Sequence, residues 1–220
     1  MSEFYVSGGN NNVKRLGGVD QSWLGARGLR DGSLVTADYL EALAHEGRIF
    51  TANMGSVTTP LTLLVTAANR PDAWIRVPSG TTILPLQCTV AIEAMAGTAT
   101  ELDIRIAQND IGNGTSSAAD VGPRSLRTDA PFGVGNCTAR QLATADTTAE
   151  TNPVSVWRKE YILANAAGED AKGFTVTRDM MGYPVLVGGS TWEVFVAATT
   201  TQATGFIVMT WAELPSTMFT

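Results

Sequence analysis

At 220 residues the chain has room for one domain, or one domain and an arm. Apolar residues make up 44%, enough for a sizeable core, and the apolar runs stay far below the roughly 18 residues a membrane-spanning helix needs, so no membrane partner is expected. A net charge of −6, with lysine only at Lys14, Lys159 and Lys172, argues against coating nucleic acid, which takes clustered Lys and Arg.

Residues 1–32 read as an extended N-terminal arm. Gly8-Gly9-Asn10-Asn11-Asn12, Gly17-Gly18, Gly25 and Gly28 leave few anchors. Fixing each such residue costs about 1–2 kcal/mol, and termini fray unless something ties them down. A neighbouring subunit is the expected tie, with Asn10, Asn11, Asn12, Lys14 and Arg15 as contact residues. Residues 1–35 hold four bases against three acids, too small an excess for a packaging arm. The opening MSEFYVSGG also lacks the basic-then-apolar pattern of a secretory signal.

Residues 33–47 predict a short helix and linker. Thr36 is a suitable N-cap, Asp38 falls in the first turn, and Tyr39, Leu40, Leu43 and Ala44 form a narrow apolar face. Gly47 stands where a stop belongs, so the helix is expected over Thr36–Glu46.

From 48 to 220 nearly every segment reads as strand. Ile49–Ala52 and Val57–Thr66 come first, the second demoted towards an edge by Pro60. Trp74–Val77 ends at the turn signal Pro78-Ser79-Gly80. Thr82–Met95 is long and β-rich, and Leu102, Ile104 and Ile106 alternate with polar residues at period two. Asn109–Asn136 breaks the pattern and is expected to be a long interfacial loop with little structure of its own. Within it Arg124 and Arg127 offer forked donors for acids on an adjacent subunit. Cys137–Ala143, Val154–Leu163, Phe174–Thr177 and Val185–Val187 follow as strands. Thr191–Ala198 and Gly205–Ala212 are expected to pair as a hairpin.

Strands without intervening helices predict an all-β fold: an antiparallel β-sandwich, jelly-roll-like, preceded by the arm and the short helix. Leu84, Leu86, Val90, Ile92, Leu102, Ile104, Ile106, Val194, Val196, Ile207 and Met209 are expected to supply most of its core.

The chemistry of catalysis is not assembled by the sequence. The single histidine, His45, falls on the polar side of the helix, so Ser–His and Cys–His catalysis and a multi-histidine metal centre are not expected. No Walker loop and no GxGxxG is present. Cys88 and Cys137 are too few for a disulfide framework, and whether they pair is left open. Asn109-Asp110-Ile111-Gly112-Asn113-Gly114-Thr115, with Asp120 nearby, is rich in oxygen ligands for calcium but misses the EF-hand spacing and reads first as an Asx- and Gly-rich turn. Glu101 and Asp103 read as a solvated strand edge. Trp74, Trp157, Trp192 and Trp211 are expected in packing roles more than as a sugar platform. No catalytic residue, metal or cofactor is expected.

The stretch from Gly47 to Leu163 resembles virion proteins encoded by bacteriophages. The resemblance rests on Gly47-Arg48-Ile49-Phe50, Thr58-Thr59-Pro60-Leu61-Thr62, Arg70-Pro71-Asp72, Val77-Pro78-Ser79-Gly80-Thr81-Thr82 and Asp110-Ile111-Gly112-Asn113-Gly114. It implies a capsid or capsid-decorating protein of jelly-roll type, located in the virion. Its partners would be copies of itself and other virion proteins, with nucleic acid not a direct partner. The alternative is a carbohydrate- or receptor-binding β-sandwich module of a viral fibre, with a host-surface glycan as ligand.

Overall fold

A computed structural model describes residues 39–63, 70–94, 99–112, 119–129, 135–142, 148–162, 173–181, 183–198 and 203–216. The arm, with Asn10, Asn11, Asn12, Lys14 and Arg15, lies outside these residues, as does the expected N-cap Thr36. The elements in order are α1 (Tyr39–His45), β1 (Ile49–Met54), β2 (Leu61–Thr62), β3 (Ala73–Arg76), β4 (Thr81–Ala94), β5 (Ala99–Ala107) and β6 (Ala119–Val121). There follow β7 (Arg124–Ser125), β8 (Thr138–Gln141), β9 (Val154–Ile162), β10 (Phe174–Asp179), β11 (Leu186–Val187), β12 (Thr191–Ala198) and β13 (Thr204–Pro215).

The strands form two antiparallel sheets. One has seven strands in the order β10-β4-β13-β1-β7, with β11 on β4 and β2 on β13; the other has six, β6-β8-β3-β12-β5-β9. Setting aside the short β2, β6, β7, β8 and β11 leaves eight strands in two four-stranded paths, β1-β13-β4-β10 and β3-β12-β5-β9. Numbered first to eighth along the chain, these are first-eighth-third-sixth and second-seventh-fourth-fifth. That is the strand order of a jelly roll, in which successive long strands mostly alternate between sheets.

The alternation explains one departure from expectation. Thr191–Ala198 and Gly205–Ala212 are not a hairpin: β12 pairs with β3 and β5, whereas β13 pairs with β4 and β1. Both strands carry inward apolar residues, Trp192, Val194 and Val196 on one and Ile207, Met209 and Trp211 on the other. Those two rows face each other across the core instead of lying side by side. Adjacency in sequence could not separate the two arrangements.

Between the sheets lies one large apolar core. Phe50, Ala52 and Met54 from β1 and Cys88, Val90 and Ile92 from β4 meet Ala73 and Ile75 from β3 and Leu102 and Ile104 from β5. Val90, Ile92, Leu102, Ile104, Val194, Val196, Ile207 and Met209 are buried there as expected, and Ile106 packs against it partly exposed. Leu84 and Leu86 are not in it. The β4–β13 register passes from Gln87↔Thr210 to Pro85↔Trp211, so Leu86 is an additional residue. Beyond such a bulge the inward parity reverses. Ile83 enters the core instead, and Leu84 and Leu86 turn to the outer face.

On that outer face Leu84 and Leu86 receive α1. Leu43, fully buried, and Leu40 pack on Ile49, Leu84, Leu86, Ala212 and Leu214. Gly47, at φ 72°, ends the helix where expected. Arg48 N donates to Leu43 O at 2.9 Å and Gly47 N to Ala44 O at 3.0 Å, the paired bonds of a Schellman cap. The expected strand Val57–Thr66 contracts to β2, with an isolated Ser56↔Thr59 bridge before it; 64–69 lie outside the described residues. The segment Asn109–Asn136, expected to lack structure, contributes β6 and β7.

Candidate functional site

Arg124 and Arg127 are held on their own domain. β7 pairs with β1 through Ser125↔Phe50 and Arg124↔Thr51. Ser125 Oγ donates to Gly47 O at 3.1 Å and accepts from Arg127 N at 3.1 Å. The Arg127 guanidinium then turns back: Nε and Nη2 donate to Asp129 at 2.7 and 3.2 Å, and Nη1 donates to the carbonyl of His45, where the last turn of α1 offers free acceptors. The hydrogen bond from Arg127 holds the Asp129 carboxyl below the usual carboxylate range. The acid expected for Arg127 across a subunit boundary is therefore matched by one within its own chain. Arg124 is exposed. Ala44, His45, Leu126, Thr128 and Asp129 line a depression of about 450 Å³ around Arg127.

A second surface feature had no counterpart in the sequence reading. The chain between β10 and β11 is pinned at Met180, 7% exposed, whose N donates to Leu86 O at 2.7 Å, and at Leu186, 3% exposed. Between and beyond these anchors Met181, Tyr183, Val185 and Val187 are exposed by 73%, 76%, 49% and 54%. Met181 sits at φ 51°, a conformation that costs a non-glycine residue about 1–3 kcal/mol.

Part of the outer face of the six-stranded sheet, over β3, β12 and the adjoining end of β5, is covered, not solvated. Residues 108–112 and 148–152 zip together over it. Gln108 N donates to Thr151 O at 2.9 Å, Asn109 Nδ2 to Ala149 O at 2.9 Å, Thr151 N to Asn109 Oδ1 at 2.6 Å and Thr148 N to Ile111 O at 2.8 Å. Ile111 is buried with Trp74 and Ala107, and Thr191 Oγ1 donates to Asn109 O at 2.9 Å. Asp110 accepts from Arg76 Nε at 2.7 Å and from Gly112 N at 2.8 Å, and also pairs with Arg76 Nη2. Those bonds hold its carboxyl below the usual range despite the desolvation that opposes them. The Asn109 and Asp110 oxygens considered for a cation thus serve the strap, an Asx turn and an ion pair, while Asn113, Gly114 and Thr115 lie outside the described residues.

Beneath this strap lies a buried charged cluster. Glu193 on β12 is fully buried and stands opposite Trp74 on β3 and Arg105 on β5. Arg105 Nε donates to Asp103 Oδ2 at 2.6 Å and Nη1 to Glu150 Oε1 at 3.4 Å, and its Cζ lies 4.4 Å over the Phe195 ring. Asp103 is 4% exposed, not a solvated edge as expected; Glu101 instead pairs with Arg158. Another buried acid, Glu213, clamps the turn before β8. Its Oε1 accepts from Trp211 Nε1 at 3.0 Å and Cys137 N at 3.2 Å, and its Oε2 from Asn136 N at 2.7 Å. None of Glu150, Glu193 or Glu213 was found from sequence. For Glu193 a signal existed: Trp192, Val194 and Val196 alternate with Phe195, so both faces of that strand are apolar and both are covered.

Cys88 and Cys137 are free and buried. Burial pushes the Cys88 thiol up to about 12, and burial with the nearby Glu213 raises Cys137 further. Trp74, Trp192 and Trp211 are fully buried in packing roles. His45 is exposed on α1, 3.8 Å from Glu41.

Strand order and covered faces thus define a jelly-roll sandwich. No family model matches the chain, and no curated protein does. Among solved structures it aligns with a mutant VP2 protein of infectious bursal disease virus in derived T=1 particles: 13% identity, 88% of this chain, 45% of that chain, TM-score 0.18. A VP2 subviral particle of the same virus gives 13% identity, 88% and 46% coverage, and TM-score 0.19. The chain spans about half the length of these structures. At such TM-scores the two do not superpose as one fold, and the reading of this chain rests on its own residues.

Proposed function

We propose that the chain is a structural subunit of a virion, a capsid shell or capsid-associated protein, that assembles with copies of itself and other virion proteins. It does so through its arm (residues 1–32) and its loops, Arg124 among their contacts, and catalyses no reaction. Jelly rolls serve as viral capsid domains, as lectins and as cupins. A cupin centre takes several inward histidines, and the sole histidine is exposed on a helix. A glycan platform takes exposed aromatics beside polar side chains; three of the four candidate tryptophans are fully buried, and the exposed Tyr183 stands among the apolar Met181, Val185 and Val187. A shell subunit needs neither. The sequence resemblance to bacteriophage virion proteins supports the same reading.

The observation that carries the proposal is the exposed apolar row Met181, Tyr183, Val185 and Val187. Large apolar side chains that a segment anchored at both ends holds in water mark a contact surface. Replacing Tyr183 and Val187 by Ser tests it. The variant is expected to keep the melting temperature of the wild type and to lose higher-order assembly in sedimentation velocity. Assembly equal to wild type would remove this surface from the interface, and a wild type that is monomeric at every concentration would remove the proposal.

A further inference from the structure

The buried cluster on the six-stranded sheet has more acid than it can neutralise. Arg105 engages Asp103 and Glu150, so two carboxylates already share one cation. Glu193 is fully buried beside them, and among the described residues no amide, hydroxyl or cationic group donates to its carboxyl oxygens or to Asp103 Oδ1. Across the strand row the groups facing Glu193 are Arg105 and Asp103 on β5, Trp74 on β3 with Arg140 of β8 beyond it, and Glu150 from the strap above. The Glu150 side chain is 8% exposed, so it too is shut in.

We propose that Glu193 and Glu150 form a one-proton latch that clamps the strap, residues 108–112 and 148–152, onto the outer face of the sheet in acid and loosens as the shared proton leaves. A protonated Glu193 can donate to the Glu150 carboxylate above it. Once ionised, it places a second negative charge under Glu150 in a water-poor site, where like charges repel strongly. Lifting the strap admits water to Glu193, so the open form loses the proton more readily. Desolvation, then Glu150, raises the Glu193 carboxyl from 4.5 to about 9 in the closed form. Opening therefore releases a proton throughout that window. The sign follows: closed holds more protons than open, so opening rises with pH, by about tenfold per pH unit for one proton, and levels off above the closed-state value. The latch does not depend on the assembly proposal.

Hydrogen exchange of the full chain, corrected for the intrinsic pH dependence of exchange, reads the latch at Gln108, Ile111, Thr148 and Thr151. Opening of these amides is expected to rise by tenfold or more between pH 6 and pH 8.5 in wild type, with the β4 and β13 amides unchanged. Glu193→Gln, neutral at every pH, is expected to flatten that rise. Glu150→Gln, which leaves Glu193 buried but removes the charge it would repel, is expected to reduce it and serves if Glu193→Gln does not fold. Strap protection that is the same at both pH values in wild type, or an undiminished rise in either folded variant, overturns the latch.

Discussion

Glu213 shows how one side chain can close the accounts of several others. Its two oxygens satisfy Trp211 Nε1 and the amides of Asn136 and Cys137, all at the end of the core. Glu213→Ala leaves the part-buried Asn136 N and two buried donors, Trp211 Nε1 and Cys137 N, without their acceptor, each buried donor costing about 1–3 kcal/mol. Urea unfolding should show a loss of about 3 kcal/mol or more, whereas a loss under 1 kcal/mol would mean that water replaces the carboxylate without penalty. Ile104 and Leu86 make a second comparison. Both are apolar members of alternating runs, yet Ile104 is 1% exposed between the sheets and Leu86 is half-buried under α1. Ile104→Ala is expected to cost about 2–5 kcal/mol and Leu86→Ala at least about 1 kcal/mol less, measured by thermal melting. Parity alone made the two residues equivalent in sequence. The bulge at Leu86, which turns it to the outer face, leaves no mark in the sequence beyond Pro85, whose meaning depends on the partner strand.

Elements were legible where local chemistry decided them. Gly47 ends α1 because its positive φ suits the cap, and the alternation of Leu102, Ile104 and Ile106 gave β5. Pairing was less legible, because it is decided at long range: β13 finds β4 and β1, not its neighbour β12. The short β6 and β7 follow the same logic, since two or three residues become strand only where β8 and β1 offer an edge. Gly205 shows how tight the β13–β4 seam is. A Cβ there would lie 2.0 Å from the carbonyl oxygen of Ala91, a backbone atom that cannot step aside, beside a register shift. Gly205→Ala is expected to lower stability by about 2–3 kcal/mol. A neutral outcome in equilibrium denaturation would show that the start of β13 is not held in this register.

For the whole molecule, the all-β class and the jelly-roll-like sandwich were anticipated from a chain of strands with one short helix, although the pairing of the last two strands was not. The exposed apolar row and the strap were not. Val185 and Val187 read as part of a strand and Met181 and Tyr183 carried no expectation; only the anchors at Met180 and Leu186 reveal that the residues around them face water. The strap was equally hidden, because its two halves are about 40 residues apart and meet through Asn109 and Ala149. The central claim is that this sandwich is a building block. Sedimentation velocity of the full chain over a wide concentration range, repeated without residues 1–32, tests it most directly. The account predicts discrete assemblies many times the monomer mass that fail to form without the arm, while the truncated chain keeps its β-sheet signal. One monomeric species at every concentration, with or without the arm, would contradict it.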